Sequence, residues 1–193
     1  VGLNHQYDIR DSGGKAIFGW DKKKKKAVAV DPYVRPQASA CFIISVEDSI
    51  DDIWQLMGES ARLFKYGSGV GADWSKLRSS QEVLSGGGTP SGPVSFMKVQ
   101  DATGGTIKSG GKTRRAAIMQ TLKVWHPDIR EFVGAKQEEE KKAWALIEQG
   151  YDGSFNGPAY GSVAFQNVNQ SVRLNDEFMK AAYVKAAFGL NAV

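Results

Sequence analysis

Ala40-Cys41-Phe42-Ile43-Ile44-Ser45-Val46 is an unbroken apolar run of strand length, and the residues behind it start a helix. Ser49 stands where an N-cap is needed, with Asp52 three residues on to return the bond. Ile50, Ile53, Trp54, Met57 and Phe64 then recur at helical spacing. Tyr66-Gly67 ends the pattern, because glycine supplies the left-handed turn that closes a helix. A continuous apolar strand is expected to be covered on both faces, as in a parallel sheet.

The alternation continues outward. Pro93 opens a second helix with Val94 and Met97, and residues 116–124 read as a strand. Pro127 starts a third helix through Ile129, Phe132 and Val133, with the charged residues 137–142 as its solvated part. Residues 162–174 are strand-like, and Asn175 or Asp176 caps a helix bearing Phe178, Met179, Ala182 and Tyr183. Upstream, residues 1–37 are turn-rich, with turns expected at Asp11-Ser12-Gly13-Gly14 and at Asp21 with the lysine run 22–26. That run reads as a solvated hairpin tip rather than a nucleic-acid patch. Strand–helix alternation argues for an α/β fold with parallel strands. The expected division is a short β-rich lead-in, residues 1–37, and an α/β part, residues 38–193.

Composition agrees with a folded domain. The 193 residues are 41% hydrophobic and 24% charged, too balanced for a disordered tail. No apolar run approaches the roughly 18 residues of a membrane span, and no signal peptide opens the chain, so a soluble, cytoplasmic protein is expected. Lys+Arg 25 against Asp+Glu 21 gives +4, which permits a polyanion partner without demanding one. A single cysteine, Cys41, excludes an internal disulfide and a thiolate zinc cluster built by this chain alone, and two histidines leave little material for a His-rich metal site.

The 22 glycines cluster between elements, where the loops of an α/β fold build sites. Gly67-Ser68-Gly69-Val70-Gly71 lacks the spacing and strand context of a dinucleotide fingerprint. Gly111-Lys112-Thr113 ends like a P-loop, but Thr106 stands where the first glycine should be. The physics survives the failed motif: glycine-rich backbone exposes N–H groups, and Lys112, Arg114 and Arg115 add cations for an anionic oxygen. Otherwise this loop is a surface turn. By residue type, Cys41 is a small core residue or a chemical one, and His126 a cap or packing residue rather than a base.

The wider context is more specific. Arg35-Pro36-Gln37-Ala38-Ser39-Ala40-Cys41-Phe42-Ile43 with Glu47-Asp48-Ser49-Ile50 resembles the first active-site strand of ribonucleotide reductase large subunits. Ala61-Arg62-Leu63-Phe64-Lys65-Tyr66-Gly67-Ser68-Gly69 and Leu84-Ser85-Gly86-Gly87-Gly88 continue the likeness in order. Lys108-Ser109-Gly110-Gly111-Lys112-Thr113-Arg114-Arg115, His126-Pro127-Asp128-Ile129 and Asn169-Gln170-Ser171-Val172-Arg173 follow. The wording is most similar to the adenosylcobalamin-dependent (class II) branch.

This resemblance implies a ten-stranded α/β barrel of two half-barrels, this chain supplying about the first half and the remaining half acting as its partner. It implies reduction of ribonucleotides to deoxyribonucleotides by thiyl-radical chemistry, with adenosylcobalamin as cofactor in the complete enzyme. Cys41 matches one member of the reducible cysteine pair; two thiols give two electrons and close a disulfide. Ala40 and Gly69 match positions whose backbone meets the ribonucleotide substrate, and Arg114 is the expected substrate-facing side chain. Asp48, Ser49 and Arg78 match the site of a deoxynucleoside triphosphate effector. Lys108, Ser109, Gly110, Gly111, Lys112, Thr113 and Arg115 match the loop that senses the effector. The helix from Ser49 to Tyr66 matches one that packs across the family's dimer interface, so a homodimer is expected; a membrane or nucleic-acid partner is not.

One departure matters. The family's thiyl cysteine sits in an Asn-x-Cys-x-Glu motif, and this chain has neither that motif nor a second cysteine. The thiyl residue is expected elsewhere, and the chain alone is expected to be inactive. The alternative is a stand-alone deoxynucleotide-binding regulatory module without catalysis. A third reading, a basic nucleic-acid-binding domain using the lysine run, predicts affinity that falls steeply with salt.

Overall fold

A hairpin and a parallel sheet account for every strand in the computed structural model, which describes residues 17–30, 39–107, 116–154 and 157–188. By packing, the chain divides into two units, Val1–Ala40 and Cys41–Val193. In the first, β1 (Ile17–Asp21) and β2 (Lys26–Val30) pair antiparallel with Asp21 opposite Lys26. The Asp21 carboxylate accepts the N–H groups of Lys23 (2.8 Å) and Lys24 (3.0 Å), which fixes the turn. The lysine run is therefore an exposed hairpin tip, as expected. The turn expected at residues 11–14 lies outside the described residues.

The second unit alternates strand and helix as expected, with β4 and the short α4 added to the elements read from sequence: β3 (Cys41–Ser45), α1 (Ile50–Lys65), β4 (Gly69–Asp73), α2 (Gly92–Thr106), β5 (Ile118–Lys123), α3 (Ile129–Glu148), α4 (Pro158–Gly161), β6 (Val168–Arg173) and α5 (Asp176–Phe188). The sheet order is β3-β4-β5-β6, every neighbour parallel. Val70, Ala72, Ile118, Leu122 and Val168 face a helical layer that contributes Ile53, Leu56, Phe64, Met97 and Phe132 to one buried cluster. A buried amide chain ties the layers: Gln120 Nε2 donates to Gln100 Oε1 (2.9 Å), and Gln100 Nε2 donates to Ser60 Oγ (3.3 Å). No helix among the described residues is long and apolar enough to cross a membrane.

The ends of α1 are built as its sequence requires. Ser49 Oγ accepts the Asp52 N–H (3.1 Å) and donates to the Asp52 carboxylate (2.7 Å). At the other end Gly67 takes φ 86°, the Ser68 N–H reaches Leu63 O and the Gly67 N–H reaches Phe64 O, a Schellman closure. Asn175, rather than Asp176, caps α5, its Oδ1 accepting the Phe178 N–H at 2.9 Å. Ser49→Ala is expected to cost about 1 kcal/mol of stability. A urea midpoint that falls while the slope stays constant would show it, and an unmoved midpoint would count against the cap.

Three expectations need correction. β3 is not covered on both faces: Ile43 is 93% exposed and Phe42 37%. The reason is position, since β3 is an edge strand that pairs only with β4 among the described residues. The Gly67–Gly71 cluster is not a loop, because Gly69 and Gly71 lie in β4, next to the centre of the sheet. Glycine is there because space is short: a Cβ on Gly69 would sit 3.3 Å from Ala117 O. Finally, Glu139 in the charged stretch of α3 is buried, accepting the Ala164 N–H (3.1 Å) and a bond from Lys142 (2.8 Å). Burial alone pushes its carboxyl up, but these donors and the nearby Lys98 hold it below the usual range.

Candidate functional site

At the C-terminal end of β3 the chain passes through Glu47 and Asp48 to the cap of α1, and the loop after β4 brings Arg78 back beside it. Arg78 Nε donates to Asp48 Oδ2 at 2.7 Å and the Arg78 N–H to Oδ1 at 3.3 Å. Lys76 pairs with Glu47 in the same way. Asp48, Ser49 and Arg78, thirty residues apart in sequence, are thus one constellation. Two hollows flank it. One of about 360 Å³ is lined by Asp48, Ser49, Arg78, Leu84, Pro90 and Phe96. The other, about 400 Å³, adds Lys76, Lys123 and Trp125 to Asp48 and Arg78. The bond to Asp48 uses one of the guanidinium's five donors, so an anion can take others.

The turn after β5 holds this loop, and sequence reasoning missed it. His126 is buried, and its Nδ1 accepts the Asp128 N–H at 3.1 Å. The other ring nitrogen therefore carries the proton and donates to Leu77 O at 2.9 Å. Asp128 is buried and accepts Ser79 Oγ (2.7 Å), the Ser80 N–H (2.9 Å) and Ser80 Oγ (2.9 Å). Burial raises the Asp128 carboxyl, but these donors outweigh it and hold the group below the ordinary aspartate value. The contacts to Leu77, Ser79 and Ser80 each span nearly fifty residues, so no local spacing signals them.

The second group lies on the sheet face away from the helices. Strand register aligns Cys41 with Gly69, Ile43 with Gly71 and Met119, and Ser45 with Asp73, Thr121 and Ser171. Cys41 is exposed, which removes the core-residue reading. A Cβ on Gly69 would lie 3.6 Å from Cys41 Sγ, so the missing side chain keeps the space beside the thiol clear. Ala40, next to it, is also exposed. At the far end of this face Arg173 Nη1 donates to Asp73 Oδ2 at 2.7 Å. Burial raises the Asp73 carboxyl, and bonds from Ser75 and Arg173 bring it below its usual value. Four residue steps separate Cys41 from Ser45, about 13 Å, so thiol and Arg78 constellation sit at opposite ends of one strand. Arg114 and the loop Lys108 to Arg115 lie outside the described residues.

Exposure carries an expectation. Cys41 should react with a thiol reagent in the folded chain, because its sulfur is open to the reagent. Labelling that waits for denaturant would return Cys41 to the core and withdraw it from the site.

Elsewhere α2 is tied to the segment that leads into β6. Asp101 accepts the Phe165 N–H (2.6 Å), the Asn167 N–H (2.9 Å) and Asn167 Nδ2 (3.1 Å). Phe165 is held at φ 62°, a left-handed backbone rare outside glycine. A hollow of about 530 Å³ opens beside this clamp, with Lys98, Thr106, Tyr160 and Ser162 in its wall. Among the described residues no group of three or more His, Cys, Asp or Glu is placed to hold a metal ion.

Comparison with known proteins names the architecture. The family model described as ribonucleotide reductase, barrel domain, matches residues 39–192. A vitamin B12-dependent ribonucleotide reductase of Rhodopirellula baltica is 58% identical over 182 residues, which are 94% of this chain and 17% of that protein. One of Streptomyces clavuligerus is 54% identical over 81% of this chain and 16% of its own length. The chain thus spans about a sixth of the curated relatives it matches. Among solved structures, the class Id ribonucleotide reductase alpha subunit of Actinobacillus ureae aligns at TM-score 0.57 and 16% identity, covering 81% of this chain and 24% of that one. That likeness is one of fold, and it fits a partial barrel whose parallel strands are β3 to β6. With the family model matching most of its length, the chain belongs to the ribonucleotide reductase barrel-domain family.

Proposed function

We propose that this chain is the effector- and substrate-binding part of a ribonucleotide reductase that uses adenosylcobalamin in its complete form; its relatives are named vitamin B12-dependent ribonucleotide reductases. The observation that carries the reading is the assembly of Asp48, Ser49 and Arg78 at one strand end, with hollows beside them. A carboxylate and a hydroxyl suit the sugar of a deoxynucleoside triphosphate, and the guanidinium suits its phosphates. Residues 108–115 are assigned the sensing of that effector, and Arg114 the recognition of the substrate base, on the family resemblance alone. Ala40 and Gly69 offer backbone to the ribonucleotide.

Cys41 supplies one of two thiols. In the balanced reaction the 2′-hydroxyl leaves as water, a hydrogen replaces it, and two thiols become a disulfide. The partner cysteine lies outside this chain, which has one. Both ring nitrogens of His126, the one described histidine, are engaged within the fold, so this side chain is not free to ligate a metal.

The test is calorimetric titration of the chain with dTTP, dATP and a short DNA duplex at two salt concentrations. Saturable deoxynucleotide binding that differs between bases is expected. Binding of the duplex alone, falling steeply with salt, would replace this reading with an electrostatic one at the lysine hairpin.

A further inference from the structure

We infer that His126 and Asp128 are positioning residues for Arg78: they grip the loop on both sides of it and so set where its guanidinium meets phosphate. The inference rests on the effector reading above. His126 holds the carbonyl of Leu77, just before Arg78, and Asp128 holds Ser79 and Ser80, just after it. The far end of the same loop closes on the same carboxylate. Gly92, at φ 71°, lies so close that a Cβ there would fall 3.0 Å from Asp128 Oδ2 and 2.8 Å from Ser80 Cβ.

The chemistry of Asp128 supports this role. It stands at the N-cap of α3, where an aspartate ordinarily caps its own helix, yet its side chain makes no capping bond. Both carboxylate oxygens are instead committed to the Arg78 loop, Oδ1 to two hydroxyls and Oδ2 to a backbone N–H. All three donors belong to Ser79 and Ser80, so the carboxylate serves the loop. Arg78 itself has a half-exposed side chain with one carboxylate partner. A long exposed side chain has many rotamers, so its placement depends on where the backbone starts it. That backbone is pinned to the turn following β5, the strand that comes after residues 108–115.

The experiment uses the full chain with Arg78→Ala, Asp128→Asn, His126→Phe and the double variant Arg78→Ala/Asp128→Asn. Two readouts are taken: calorimetric affinity for dTTP and the side-chain Nε–H resonance of Arg78, bonded to Asp48. Asp128→Asn and His126→Phe are each expected to weaken dTTP by about tenfold and to lose the Arg78 resonance to fast exchange. In the Arg78→Ala background Asp128→Asn should cost nothing more. A folded Asp128→Asn with its Arg78 resonance and dTTP affinity intact would overturn the inference, as would an equal loss of affinity in both backgrounds. Where Asp128→Asn does not fold, Ser79→Ala, which removes one hydroxyl, decides by the same criteria. Failure of the wild-type chain to bind dTTP would sink the effector reading, and the Arg78 resonance would then decide the positioning claim alone.

Discussion

Replacing Arg78 with alanine should lower the affinity for deoxynucleoside triphosphates ten- to a hundredfold while leaving the fold intact. The two halves of that expectation have different causes. A charge-assisted bond from guanidinium to phosphate is worth about 1.5–3 kcal/mol, which is roughly that range in affinity. The Arg78–Asp48 pair, in contrast, has side chains 46% and 33% exposed, and an ion pair open to solvent adds about 0–1 kcal/mol to stability. Calorimetry of the variant beside its urea unfolding curve separates the two. Unchanged affinity would move the effector site away from this end of the sheet.

A second large effect is expected in turnover. With adenosylcobalamin, a dithiol and a ribonucleotide supplied, the purified chain should form no deoxyribonucleotide above a protein-free control. Reduction at the 2′ carbon needs two electrons from a pair of thiols, and a further cysteine to carry the thiyl radical. Cys41 is the one cysteine present. Its position agrees with half of such a machine: exposed at the start of β3, beside a glycine, on the sheet face opposite the helices described. Chromatographic detection of deoxynucleotide from the chain alone would remove the assignment of Cys41 as one member of a pair completed elsewhere.

Much of the fold was legible from local chemistry. Ser49 with Asp52, Pro93, Asn175 and Gly67 mark helix ends because capping is a contact between residues three or four apart. The apolar runs at 40–46 and 116–124 announce strands for a similar reason. β4 escaped because two of its five residues are glycines, Gly69 being crowded by Ala117 O, which leaves only Val70 and Ala72 to carry an apolar pattern. The hollow beside Asp101 and the left-handed Phe165 escaped too, since nothing in residues 98–106 anticipates residues 160–167.

By itself, then, the sequence determined the strand–helix alternation apart from β4 and α4, the family wording, and the identity of the groups able to do chemistry: one thiol, one Asp-Ser pair and a set of cations. Tertiary structure decided what those groups are for each other. The pairing of β3 with β4 put Gly69 beside Cys41, and an edge position left the thiol open instead of buried. The turn after β5 turned His126 and Asp128 toward Leu77, Ser79 and Ser80. Burial, hydrogen bonding and register depend on partners far along the chain, and a propensity read over a few residues contains no term for them.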